Sequence, residues 1–210
     1  MGLANEVPPS PPAQDLNGWY AGAGNRMVGA TESEMRSYQA AYEELCCEGS
    51  RLSFRGQEAK VLTVNLRVKE PHQLVYLARL ISHLNYEEIH FRGAYLWVTA
   101  WGVWNPLVES LAFKTLEQFR RSYGERRSLE AAPGHCFRDD EFVESVCSLL
   151  QPMIVGWDAY YVPRWAYGGL EYFVFVSHDS FVDIHVRTTE MYERVNEIIA
   201  AHEWIADTGF

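Results

Sequence analysis

Tyr172-Phe173-Val174-Phe175-Val176-Ser177-His178-Asp179-Ser180-Phe181-Val182-Asp183-Ile184-His185-Val186 is the stretch on which the fold turns. Two runs rich in β-branched and aromatic residues, about 171–177 and 181–187, flank a short polar segment, the pattern of two strands joined by a tight turn. In the second run Val182, Ile184 and Val186 fall on one face, and Asp183 and His185 fall on the other, because side chains alternate along a strand. Thr188 or Thr189 then caps a helix that carries Met191, Val195, Ile198, Ile199 and His202 at helical spacing. Strand, turn, strand and helix together predict an α+β fold: a largely antiparallel sheet with helices packed on it.

The same patterns extend upstream. A strand is expected at about 155–162, and before it Asp139 or Asp140 caps a helix with Phe142, Val143, Val146, Leu149, Leu150 and Met153 in register. Asn105-Pro106 starts another helix, with Val108, Leu111, Ala112, Thr115, Phe119 and Tyr123 in phase. Arg120 and Arg121 suit its C-terminal dipole, and Gly124 ends it. Residues 125–139 form a charged loop with a short strand at His135–Arg138. Residues 86–91 and 94–101 read as a hairpin about Arg92-Gly93. Pro71 opens a helix with Leu74, Leu77, Ala78, Ile81 and Leu84 on one side. Leu62, Val64, Leu66 and Val68 alternate with Thr63, Asn65, Arg67 and Lys69, a strand with one wet face. Thr31 and Glu34 form a capping box before Met35, Tyr38, Tyr42 and Leu45, and Gly49 stops that helix.

Residues 1–30 are proline- and glycine-rich and read as a flexible N-terminal segment; residues 31–210 read as a single α+β domain. Within that domain the order helix, strands, helix occurs over 71–124 and again over 139–204, with Tyr95-Leu96-Trp97-Val98 aligned to Tyr172-Phe173-Val174-Phe175. The order admits an internal duplication of an α-β-β-α unit, with helices on one face of a shared sheet; a chance likeness remains an equal alternative, since the identities are few.

Composition narrows the function classes. The 210 residues carry 18 Lys+Arg against 28 Asp+Glu, a formal net charge of −10. That sign disfavours phosphate backbones and anionic membranes and favours a basic partner, or else serves solubility alone. Adjacent Cys46 and Cys47, with Cys136 and Cys147, suit free thiols in a reducing compartment. The N-terminal residues lack the basic and apolar regions of a secretory signal, Glu6 stands where a myristoylation signal needs Ser or Thr, and no apolar run would span a bilayer. The expectation is a cytoplasmic protein with no membrane, nucleic-acid, cofactor or metal partner. Its oligomeric state is not legible.

No P-loop, dinucleotide fingerprint, H-E-x-x-H or G-x-S-x-G is present. The catalytic candidates are His178, Asp179, Asp183 and His185, where a carboxylate beside an imidazole would orient a base or hold a metal, against a polar turn and a wet strand face. His135-Cys136 suggests an activated thiol, against a loop histidine beside a buried cysteine. Arg120, Arg121, Arg126 and Arg127 suit a phosphate, against a solvated helix end and loop.

With seven Trp and twelve Tyr, the aromatics are the largest departure from ordinary composition. Trp157, Asp158, Tyr160, Tyr161, Arg164, Trp165 and Tyr167 form one aromatic run that straddles a strand end and a loop. Trp, Tyr and Arg anchor interfaces, and the same residues also build cores. The leading expectation is a non-enzymatic protein-binding protein of immunity or adaptor type. The alternative is a hydrolase or metal-dependent enzyme built on the His178/Asp179/Asp183/His185 group.

Overall fold

The structure is a computed structural model, and it describes residues 26–48, 51–56, 60–65, 71–85, 92–100, 114–129, 131–155, 157–164, 170–177 and 181–207. Helix α1 (Glu32–Glu43) leads into strands β1 (Leu45–Glu48) and β2 (Arg51–Phe54). Strand β3 (Lys60–Asn65), helix α2 (Pro71–His83), strand β4 (Ala94–Ala100) and helix α3 (Lys114–Ser122) follow. Then come β5 (Gly134–Phe137), α4 (Phe142–Val155), β6 (Asp158–Pro163), β7 (Tyr172–Val176), β8 (Phe181–Val186) and α5 (Thr189–Asp207). The fold is α+β, as the strand and helix periods imply.

Six strands form one antiparallel sheet in the order β3-β8-β7-β6-β4-β5, and β1 and β2 form a separate two-stranded sheet. The expected β7–β8 pairing is present: Val174 lies opposite Ile184 and Phe173 opposite His185. The capping box of α1 forms as read, with Glu34 N donating to Thr31 Oγ1 and Thr31 N donating to Glu34 Oε2. Strand β4 has β5 on one side and β6 on the other; residues 86–91, the expected hairpin partner, lie outside the described residues.

Helices cover one face of the sheet. Ala94, Leu96 and Val98 of β4, Tyr161 of β6, Val174 of β7 and Ile184 of β8 meet Leu77, Leu80 and Ile81 of α2, Phe119 of α3, Leu149 of α4 and Val195 of α5. The other face is also covered, by α1 and the β1–β2 hairpin. Tyr95, Trp97, Tyr160, Val162 and Phe173 pack there with Met27, Tyr38, Leu45, Leu52 and Phe54. Helices on one face alone would have left Tyr95 and Trp97 in water, and a strand apolar on both faces needs two covers. The aromatic ring of Tyr38 supplies part of the second cover, 5.1 Å from Tyr95 and 5.2 Å from Trp97.

The β1–β2 hairpin was not expected. Leu45 reads as the last apolar position of a helix, but Glu44 is its C-cap and Leu45 already belongs to a strand. Four-residue strands are too short for alternation to announce them. Residues 26–30, the end of the expected flexible segment, pack against β5. Val28 N donates to the Gly134 carbonyl at 2.9 Å and Cys136 N to the Val28 carbonyl at 2.8 Å, and Met27 and Val28 are buried. Residues 1–25 lie outside the described residues.

Candidate functional site

The aromatic run from 157 faces largely inward. Trp157, Tyr160 and Tyr161 are 2%, 3% and 0% exposed, so no partner can reach these three rings in the folded chain. Tyr160 OH accepts from Leu52 N and ties β2 to the sheet. Tyr161 OH accepts from Asn85 Nδ2 at 2.9 Å, and Tyr172 OH donates to Asn85 Oδ1 at the same distance, a buried polar bridge beneath the helices. Asp158 and Arg164 are half-buried, and Trp165 and Tyr167 lie outside the described residues.

His178 and Asp179 also lie outside them. Asp183 and His185 share the second face of β8, as the alternation implies. His185 stacks on Phe173 at 4.4 Å and 10°, and burial lowers its pKa to about 4. Among the described residues no three His, Cys, Asp or Glu side chains converge as a metal site requires.

His135 and Cys136 are consecutive on β5 and therefore point to opposite faces, His135 toward Phe119 and Cys136 into the layer beneath α1. Burial raises the Cys136 thiol to about 12, far from a reactive thiolate. Arg120 is not solvated but 5% exposed. It donates to the Ala132 carbonyl at 2.6 Å, the Arg127 carbonyl at 2.6 Å and His135 Nε2 at 2.8 Å. A guanidinium only donates, so Nε2 accepts and the neutral imidazole carries its proton on Nδ1. Burial first, then the Arg120 charge, press the His135 pKa down to about 3.

The concavity that these elements create lies beside β5. Residues 26–30 run along that strand, Tyr123, Glu125 and Arg127 follow α3, and Arg138 follows β5. Together they line an open cleft of about 320 Å³. Glu125 is saturated: its Oε1 accepts from the backbone of Arg126 and Arg127 and from Arg127 Nε, and its Oε2 accepts from Arg127 Nη2 at 2.6 Å. Those bonds, led by the Arg127 side chain, hold its pKa near 2. Arg138 Nη1 donates to Tyr123 OH at 2.7 Å, and Tyr123 OH donates in turn to Glu141. Burial and that carboxylate push the phenol up to about 12.

Arg26 differs from its neighbours. Its Nε donates to the Ala30 carbonyl at 2.8 Å, and its two terminal nitrogens engage no described residue. Of Arg120, Arg121, Arg126 and Arg127 only Arg127 lines this cleft; Arg120 is buried, and Arg121 and Arg126 are exposed. Arg26 and Arg138 carried no signal, because only the pairing of residues 26–30 with β5 brings them to it. Comparison of the chain with known protein families, with curated proteins and with solved structures finds no match in any of the three.

Proposed function

We propose that this chain is a non-enzymatic binding protein, of immunity or adaptor type, that holds a protein partner at and around the arginine-lined cleft. The observation that carries the reading is the pinning of the cleft's titratable groups. Tyr123 stays protonated up to about 12 and Glu125 stays ionised down to about 2. A general acid or base works with a pKa near the working pH. These side chains present fixed charge and fixed hydrogen bonds, which suits recognition rather than proton transfer.

The chain's net charge of −10 steers a basic protein toward it, and a local patch of opposite sign sets the register of docking. The test uses the full chain as bait in lysate of its native host at low and high salt, with a heat-denatured bait as control. The expected result is a basic protein enriched at low salt and depleted at high salt. No protein enriched over the control at either salt sinks the reading.

A further inference from the structure

We infer that the cleft beside β5 accepts a single carboxylate, presented by an acidic side chain or the chain terminus of the protein partner, and that the Arg26 guanidinium grips it. This rests on the binding reading above and adds the chemistry of what enters the site. The argument begins with which donors are already used. Arg138 spends Nη1 on Tyr123 OH and Nη2 on the Gly29 carbonyl, and its Nε lies 3.6 Å from Glu34 Oε1. Arg127 spends Nε and Nη2 on Glu125. Among the described residues Arg26 keeps its terminal pair, a planar fork that matches the two oxygens of a carboxylate.

Local charge selects the ligand class. With their bonded neighbours included, Arg26, Arg127, Arg138 and Arg164 stand against Glu125, Glu34 and Glu141, so one positive charge remains. A monoanion cancels it. A dianionic phosphate would leave one negative charge uncompensated beside Glu125, at a cost in desolvation and repulsion. The cleft is also larger than a carboxylate alone requires, and the half-buried Tyr123 ring in its lining gives an apolar surface for the methylene stem that carries the acid.

The experiment titrates the full chain with an acetylated, amidated hexapeptide bearing one glutamate, with its glutamine counterpart, and with inorganic phosphate, by calorimetry. The glutamate peptide should bind at least about tenfold more tightly than either of the others. Arg26→Ala should abolish that preference and lower the melting temperature only slightly, through the lost bond to the Ala30 carbonyl, because its side chain is exposed. Arg26→Lys keeps the charge, loses the fork and should recover only part of the affinity. Arg126→Ala, exposed and outside the lining, should bind as the parent does. Equal binding of the two peptides, tighter binding of phosphate, or undiminished binding by Arg26→Ala overturns the inference. If Arg26→Ala still captures the host partner in full, the carboxylate site fails while the binding reading stands. If the parent chain captures nothing, the broader reading fails by itself.

Discussion

Glu34 and Arg164 meet at 3.0 Å although 130 positions separate them in the chain. The same carboxylate closes the capping box of α1 through Thr31 and lies 3.6 Å from Arg138 Nε. One side chain therefore starts a helix and fastens that helix to the sheet at the end of β6. Arg164 lies over the Tyr95 ring at 5.8 Å, and Tyr95 OH donates to the Glu34 carbonyl at 3.0 Å, so the tie is a small network and not an isolated surface pair.

Glu34→Ala removes the cap partner and the ion pair together, and about 2–3 kcal/mol of stability should be lost. Glu34→Gln keeps a hydrogen-bonding side chain in the capping box and removes the charge, so it should cost about 1 kcal/mol. Urea unfolding of the two variants separates the roles. Equal losses would mean that the helix cap contributes nothing beyond the ion pair.

Gly93 stands at the entry to β4 with φ +110°, and a Cβ there would lie 2.2 Å from the Phe137 carbonyl oxygen and 3.2 Å from the Arg164 side chain. Gly56 has φ +70° and nothing within 4 Å. Gly56→Ala carries the conformational cost alone, about 1 kcal/mol. Gly93→Ala adds a clash with backbone that cannot swing away, and should cost at least about 3 kcal/mol or prevent folding. Melting temperatures of the pair measure the difference, and similar values would show that β4 and β5 can separate to admit a methyl group.

Asn85 uses both ends of its amide, receiving Tyr172 OH and donating to Tyr161 OH, and all three residues are fully buried. Asn85→Leu keeps the heavy-atom count and branching and leaves two phenol hydroxyls in the core without this partner. The expected loss is about 2–4 kcal/mol, from buried hydroxyls that lose their amide partner. Tyr161→Phe with Tyr172→Phe in the Asn85→Leu background removes those hydroxyls and should recover part of it. No recovery in the triple variant would show that the loss comes from shape and not from unpaired polar groups.

Much of this architecture was legible because it rests on period. Val182, Ile184 and Val186 alternate with Asp183 and His185, and the sheet honours that split. The second cover of the sheet was not expected, since the α-β-β-α reading set helices on one face, although Tyr95-Leu96-Trp97-Val98 and Tyr172-Phe173-Val174-Phe175 are apolar on both faces. The cleft was not legible, because its walls come from residues 26–30, 123–127 and 138, which share no period. Contacts between distant segments leave no local pattern, and Arg120 illustrates the consequence. Its place at a helix end suggested solvent, yet the fold turns it inward onto His135.

Acid should destabilise the protein in two separable stages. In the folded chain the His135 pKa is lowered to about 3 and that of His185 to about 4, chiefly by burial, against an ordinary value of 6.5. For a base, a lowered folded pKa means that the unfolded chain binds protons first as pH falls. The stabilising contribution is therefore full above 6.5 and declines below it until the folded pKa is reached. Glu125, held near 2 by Arg127, and Glu34, whose hydrogen bonds and Arg164 outweigh the raising effect of burial, hold their contribution above 4.5 and lose it only below. Between about pH 6 and 4.5, of these four groups only the two imidazoles contribute to the slope, at about 1.4 kcal/mol per pH unit for each. His135→Gln and His185→Gln should each flatten the slope by about that amount in urea midpoints taken at pH 6, 5.25 and 4.5, whatever they do to stability at neutral pH. An unchanged slope in His135→Gln would mean that the imidazole protonates in place, and that its contact with Arg120 yields before the fold does.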